Sequence, residues 1–280
     1  MNRQNLLLWL ALTLAGFVTL PPLTLLFIPD AVVRQVASQM LAANGATLQA
    51  AKIGTALPFG IKATRLTLAN QSANLITLDR ISLQLRPLAL LSGNVSFKIA
   101  ANIGAGTING TLTVLPRLQG TLQVNKLELA DIPLLATATG GTIQGTARID
   151  LSLQPTPPSG SGGEARILIR NVQVKGVRIS SMPLPDASFP ELRGIVKIKG
   201  QTVVVDNLAL QGNGIYLRLG GTAPLSAGAQ LNLNLELMPG AEFLEQQKSV
   251  FLFMIPYQVS PGHYKLPISG TLTSPQLAGR

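Results

Sequence analysis

The chain has 280 residues, 46% of them hydrophobic, 4% aromatic and only 12% charged, with 27 glycines, 19 prolines and no cysteine. So few charges, replaced by Thr, Ser, Asn, Gln, Gly and Leu along the chain, exclude a charged disordered tail and a Glu/Lys-rich helical bundle, and the lack of cysteine excludes disulfides and thiolate metal sites. The net charge of +10 is spread thinly, and with three Tyr and one Trp there is no nucleic-acid footprint, so the charge points to anionic lipid instead.

The first element in chain order is an uncharged run from Leu6 to Ile28, LLLWLALTLAGFVTLPPLTLLFI. As a helix it would reach about 34 Å at ~1.5 Å per residue, enough for a ~30 Å hydrocarbon core. Pro21-Pro22 interrupts it and raises the alternative of a cleaved signal peptide with its apolar core between Leu6 and Gly16. The apolar run continues past that point without a small-x-small cleavage site, which favours an uncleaved anchor over 6–28. Arg3 precedes the span and Asp30 follows it. The positive-inside rule then leaves residues 1–5 in the cytoplasm and the bulk of the chain in the periplasm, a single-pass bacterial inner-membrane topology. Residues 30–44 predict an amphipathic helix, with Asp30 as N-cap, Val32, Val33, Val36, Met40 and Leu41 on one stripe, and Asn44-Gly45 as its stop.

From residue 46 to 280 the apolar period changes to two, which predicts one mainly β periplasmic domain of long, mostly antiparallel strands. Ile108, Leu112 and Val114 alternate with Asn109, Thr111 and Thr113; Leu122 and Val124 with Thr121, Gln123 and Asn125. Ile149, Leu151 and Leu153 alternate with Arg148, Asp150, Ser152 and Gln154, and Leu233 and Leu235 with Asn232, Asn234 and Glu236. Further strands are expected at 61–69, 75–86, 94–101, 164–171, 192–199, 202–211 and 214–222, the last contributing Leu217 and Leu219. These twelve apolar residues (Ile108, Leu112, Val114, Leu122, Val124, Ile149, Leu151, Leu153, Leu217, Leu219, Leu233 and Leu235) are expected to line one concave surface. A sheet with one continuous aliphatic face and few rings must bury that face. Either it closes as a dry sandwich, or it curves into a groove holding acyl chains.

Pro/Gly/Ser-rich stretches at 154–163 and 182–190 predict loops, without a change of composition that would divide the domain. Gly-Thr-apolar triplets at Gly106, Gly120, Gly141 and Gly270 suggest similar hairpins laid side by side. Residues 240–254 predict a short helix, and Phe251, Phe253, Met254 and Ile255 are expected as core, with capping of a groove end as the alternative. With the 30–44 helix this makes two short helices beside the anchor.

No catalytic motif is present: there is no phosphate-binding Gly-rich loop, no GxSxG and no HExxH. The acidic residues are isolated along the chain; Arg148 and Asp150 predict a solvated pair, and the lone His263 a turn residue. No enzyme activity, cofactor or metal is expected.

The closing segment Pro261-Gly262-His263-Tyr264-Lys265-Leu266-Pro267-Ile268-Ser269-Gly270-Thr271-Leu272-Thr273-Ser274-Pro275 resembles the end of type II secretion system protein N, where Gly-x-Tyr, Pro-Ile-x-Gly-x-Leu and Pro close the domain. Lys126–Leu135 is similar in style. That family is distantly similar to AsmA-type and bridge-like lipid-transfer proteins, which use a β-groove for lipid. The resemblance implies an inner-membrane-anchored accessory of type II protein secretion that contacts other secretion subunits and carries no catalytic residues. The alternative is a lipid-binding or lipid-transfer module for phospholipid or another acyl lipid.

Overall fold

Alternation with a period of two becomes a single antiparallel meander in the computed structural model, which describes residues 46–56, 59–70, 74–155, 162–225 and 229–278. The expected cytoplasmic stub (1–5), anchor (6–28) and amphipathic helix (30–44) lie outside the described residues. The strands are β1 (Ala46–Ala56), β2 (Gly60–Asn70), β3 (Asn74–Leu85), β4 (Val95–Ile103), β5 (Gly106–Leu115), β6 (Gln119–Glu128), β7 (Thr142–Gln154), β8 (Gly162–Lys175), β9 (Arg178–Ile179), β10 (Met182–Pro183), β11 (Ala187–Lys199), β12 (Thr202–Gln211), β13 (Ile215–Pro224), β14 (Asn232–Pro239), β15 (Gln258–Ser260), β16 (His263–Thr271) and β17 (Ser274–Leu277). All but β9 and β10, which pair with each other, form one sheet in the order β1 to β8, then β11 to β14, then β16 and β15, with β17 on β16. The sheet runs straight through the Pro/Gly/Ser stretch after Gln154, because β7 and β8 pair along their whole length.

Four short helices are described: α1 (Pro87–Leu90), α2 (Pro133–Thr139), α3 (Ala241–Gln246) and α4 (Lys248–Phe253). The single helix expected at 240–254 is therefore two, broken at Gln247, and α1 and α2 are additions. Both additions begin on a proline, whose missing N–H costs nothing in a first turn. The 182–190 stretch, expected as a loop, instead contributes β10 and the start of β11. Pro190 is tolerated inside β11 because the residue across from it, Asn171, bulges out of the ladder with φ 54°.

Sequential pairing makes the connections alternate between the two ends of the sheet. One end carries α2, the β9–β10 hairpin and the α3–α4 pair; the other carries α1 and shorter turns. α2 touches β3, β7, β9 and β17, so strands from opposite halves of the sheet meet one helix, and the sheet must curve around that end. The α3–α4 cap is built on rings: Phe243 stands edge-on to Phe251 at 6.2 Å between centroids, and Phe251 lies 5.2 Å from Tyr264. Phe251 and Met254 are buried there with Val172, Phe189, Ile215, Leu237 and Leu266. Phe253 and Ile255, expected as core with them, are exposed.

Candidate functional site

Cross-strand register decides which side chains share a face. One row runs Leu83, Ile99, Gly110, Leu122, Leu151, Ala165, Val196, Val205, Gly221, Leu233 and Ile268 across β3 to β16. The row below it runs Ala101, Ile108, Val124, Ile149, Ile167, Gly194, Leu208, Leu219, Leu235 and Leu266. On the other side of the first row stand Phe97, Leu112, Gly120, Leu153, Gly163 and Ile198. Leu217 lies one row beyond Leu219, opposite Leu210 and Leu237. Eleven of the twelve aliphatic residues singled out from sequence thus share one face, and all eleven are partly buried. Val114 does not share this pairing; it sits past a register irregularity at the end of β5 and is exposed.

That face is not uniform along the strands. Near the α2 end, Leu78, Ala101, Ile103, Leu127, Leu129 and Ala147 form a buried cluster, with Ile108 and Val124 packed on it. Leu217 and Leu235 pack on the cluster under α3–α4, and Leu219, Leu233 and Leu235 on a smaller one around Ile179, Leu231 and Ile268. Toward the opposite end the packing thins across β3 to β8, whereas on the β13–β16 side it continues, with Leu231 and Leu272 in or against the cluster around Ile179. Leu112, Leu122, Ile149, Leu151 and Leu153 join no buried cluster and pack on none, and neither do Leu83, Phe97 and Ile99, which extend the same rows into β3 and β4. The alternation in 75–86 and 94–101 carried the signal for those last three residues.

Bulges mark the transition. Val124 and Leu127, Ile169 and Val172, and Val205 and Leu208 are each three residues apart yet share the aliphatic face. An extra polar residue is accommodated between the members of each pair, with φ of 53° at Lys126 and 54° at Asn171. A bulge bends its strand and sharpens the local twist. Glycines on the same face allow close approach: a methyl at Gly110 would come within 2.9 Å of Leu122 Cα, and one at Gly163 within 2.8 Å of Leu153 Cδ2.

The opposite face is wet and charge-paired. Arg148 Nε donates to Asp150 at 3.3 Å, as the sequence predicts, and Arg166 Nε donates to Glu164 at 3.1 Å. Glu191 accepts from Arg193 and lies 4.0 Å from Arg170, and Lys197 pairs with Asp206, whose carboxylate raises the lysine pKa. These pairs lie on an exposed surface, where each contributes little to stability. His263 is the first residue of β16, directly after the Pro261-Gly262 turn; its Nε2 is buried without a hydrogen-bond partner. Among the described residues no His/Asp/Glu group could hold a metal ion, and no helix is long and apolar enough to cross a membrane. Comparison with protein-family models, curated proteins and solved structures finds no match to this chain.

Proposed function

We propose that this domain is a non-catalytic acyl-lipid-binding module that holds hydrocarbon chains against the aliphatic face of its sheet. The observation that carries this reading is the partly buried patch of Leu83, Phe97, Ile99, Leu112, Leu122, Ile149, Leu151 and Leu153, which belongs to none of the buried clusters. A dry core leaves no such patch, because aliphatic side chains in a closed sandwich interdigitate with a facing layer. Its chemistry suits hydrocarbon: no charged side chain stands in the rows that contain it, and apolar sites of this kind bind by area more than by polar contacts. The setting we propose is the one implied by the closing segment, an inner-membrane-anchored accessory of type II secretion facing the periplasm.

The motif residues of that segment also have structural duties. Tyr264, Leu266 and Ile268 are buried, and Gly270 has φ 78° before the turn into β17. Packing accounts for them without a secretion partner, so the lipid-binding reading is the one the geometry favours. The test is photo-crosslinking in native membranes, with a diazirine amino acid at position 151 on the aliphatic face or at position 166 on the charged face. Lipid adducts at 151 and not at 166 support the module. Protein adducts alone at 151 would replace it with a protein-docking scaffold.

A further inference from the structure

The end of the sheet away from α2 and α3–α4 exposes large apolar side chains where a soluble tip would be polar. Leu88 is 80% and Leu91 84% exposed in the β3–β4 connection, with Leu90, Leu115 and Leu225 also exposed at this end. Its described connecting residues, 59, 86–94, 116–118, 155, 200–201, 225, 229–231 and 272–273, contain Arg86 and Arg117 and no acid. The connections at the other end contain Asp131, Asp186, Glu242 and Glu245 against Arg178 and Lys248. That end has exposed apolar side chains too, Leu252, Phe253, Ile255 and Val259. Hydrophobicity therefore does not separate the two ends; charge does.

We infer that the α1 end is a docking tip for an anionic phospholipid bilayer, with Leu88 and Leu91 entering the acyl layer and Arg86 and Arg117 meeting the headgroups. Leucines flanked by basic residues form the amphipathic chemistry of an interfacial anchor. The partly buried aliphatic patch on β3 to β8 lies toward this tip, so docking would bring it to the lipid layer. The inference adds a partner to the lipid-binding reading but rests on different residues.

The absence of cysteine allows one label per molecule. Full-length Leu91→Cys and Leu252→Cys proteins in mild-detergent micelles, each carrying an environment-sensitive fluorophore, are mixed with detergent-resistant nanodiscs. The discs contain phosphatidylcholine alone, or equimolar phosphatidylcholine and phosphatidylglycerol, with spin-labelled acyl chains as quenchers. The expected result is a blue shift and quenching at position 91 only with phosphatidylglycerol, while the label at 252 remains unquenched. Replacing Arg86 and Arg117 together by Ala should weaken that partitioning on the order of thirtyfold. Replacing Leu88 and Leu91 by Ser, in a protein labelled at Leu90→Cys, should abolish quenching while photo-crosslinked lipid at position 151 persists. Quenching at 252 in place of 91, or equal quenching without phosphatidylglycerol, would overturn the tip. Loss of lipid at 151 with quenching at 91 intact would instead remove the groove and leave the tip standing.

Discussion

Gly110 and Leu122 face each other across β5 and β6, and the leucine Cδ2 occupies the space a methyl on the glycine would need, 2.8 Å from that position. The Thr121 carbonyl oxygen is closer still. Two neighbouring strands are therefore held nearer on the aliphatic side than ordinary side chains permit. Gly110→Ala should lower stability by about 1–3 kcal/mol, since backbone and not a flexible side-chain tip must yield. Gly54 in β1 has nothing within 4 Å of the same position and no positive φ. There Gly54→Ala should raise stability by about 0.4–1 kcal/mol through the unfolded chain. Urea denaturation of both variants tests the contrast, and equal losses would contradict it.

Leu151 and Leu266 differ in what surrounds them. Leu266 is fully buried in the cluster under α3–α4, so Leu266→Ala should cost about 2–5 kcal/mol. Leu151 is partly buried and packs on none of the buried clusters, and Leu151→Asn should reduce co-purifying lipid in native mass spectra with a far smaller change in melting temperature. A loss of stability at 151 as large as that at 266 would mean that its face is dry.

Gln247, at the break between α3 and α4, accepts from the Asp186 backbone N–H at 2.9 Å and donates from Nε2 to the Asp186 carbonyl at 2.7 Å. Asp186 in turn accepts from the Gly176 N–H at 2.7 Å, so one amide side chain ties the helical cap to both ends of the β9–β10 segment. Gln247→Ala should cost about 1–3 kcal/mol for two hydrogen bonds. Faster hydrogen exchange at 176–186, with β5 to β7 unchanged, is the expected local signature.

Lys197 titrates above the ordinary lysine value of 10.5, chiefly through its hydrogen bond to Asp206 and then through the charge of that carboxylate. A raised pKa on a base gives a contribution that is fully present below 10.5 and is lost as pH rises through the folded value. Asp206→Asn should return the Lys197 pKa, followed by NMR of its side chain, toward 10.5. The melting temperature at neutral pH should hardly move, because the pair is exposed and solvent-screened.

The long strands and the membership of the aliphatic face were readable from the sequence because strict alternation leaves little freedom of register. What alternation hides is the set of bulges. Val124-Asn125-Lys126-Leu127, Ile169-Arg170-Asn171-Val172 and Val205-Asp206-Asn207-Leu208 share an apolar-polar-polar-apolar order. Read with a period of two, each reverses the face of everything after it, whereas the extra residue restores the face. The helices α1 and α2 were hidden for another reason: four and seven residues are too few to show a helical period, and a leading proline reads as a breaker. The exposed Leu88 and Leu91 were hidden with them, since composition cannot show which end of a sheet a connection occupies.

Pairing almost wholly between successive strands has a consequence for how the chain is made and how it changes. Each strand finds its partner in the one synthesised just before it, so structure can grow by accretion from β1 onward without waiting for distant segments. An emerging chain then exposes only its newest edge to misassociation. The same wiring makes the domain extensible: a hairpin gained or lost by duplication or deletion between β4 and β7 would lengthen or shorten the sheet without rerouting any other connection. Capacity in such a molecule is a matter of copy number, open to variation in steps of two strands.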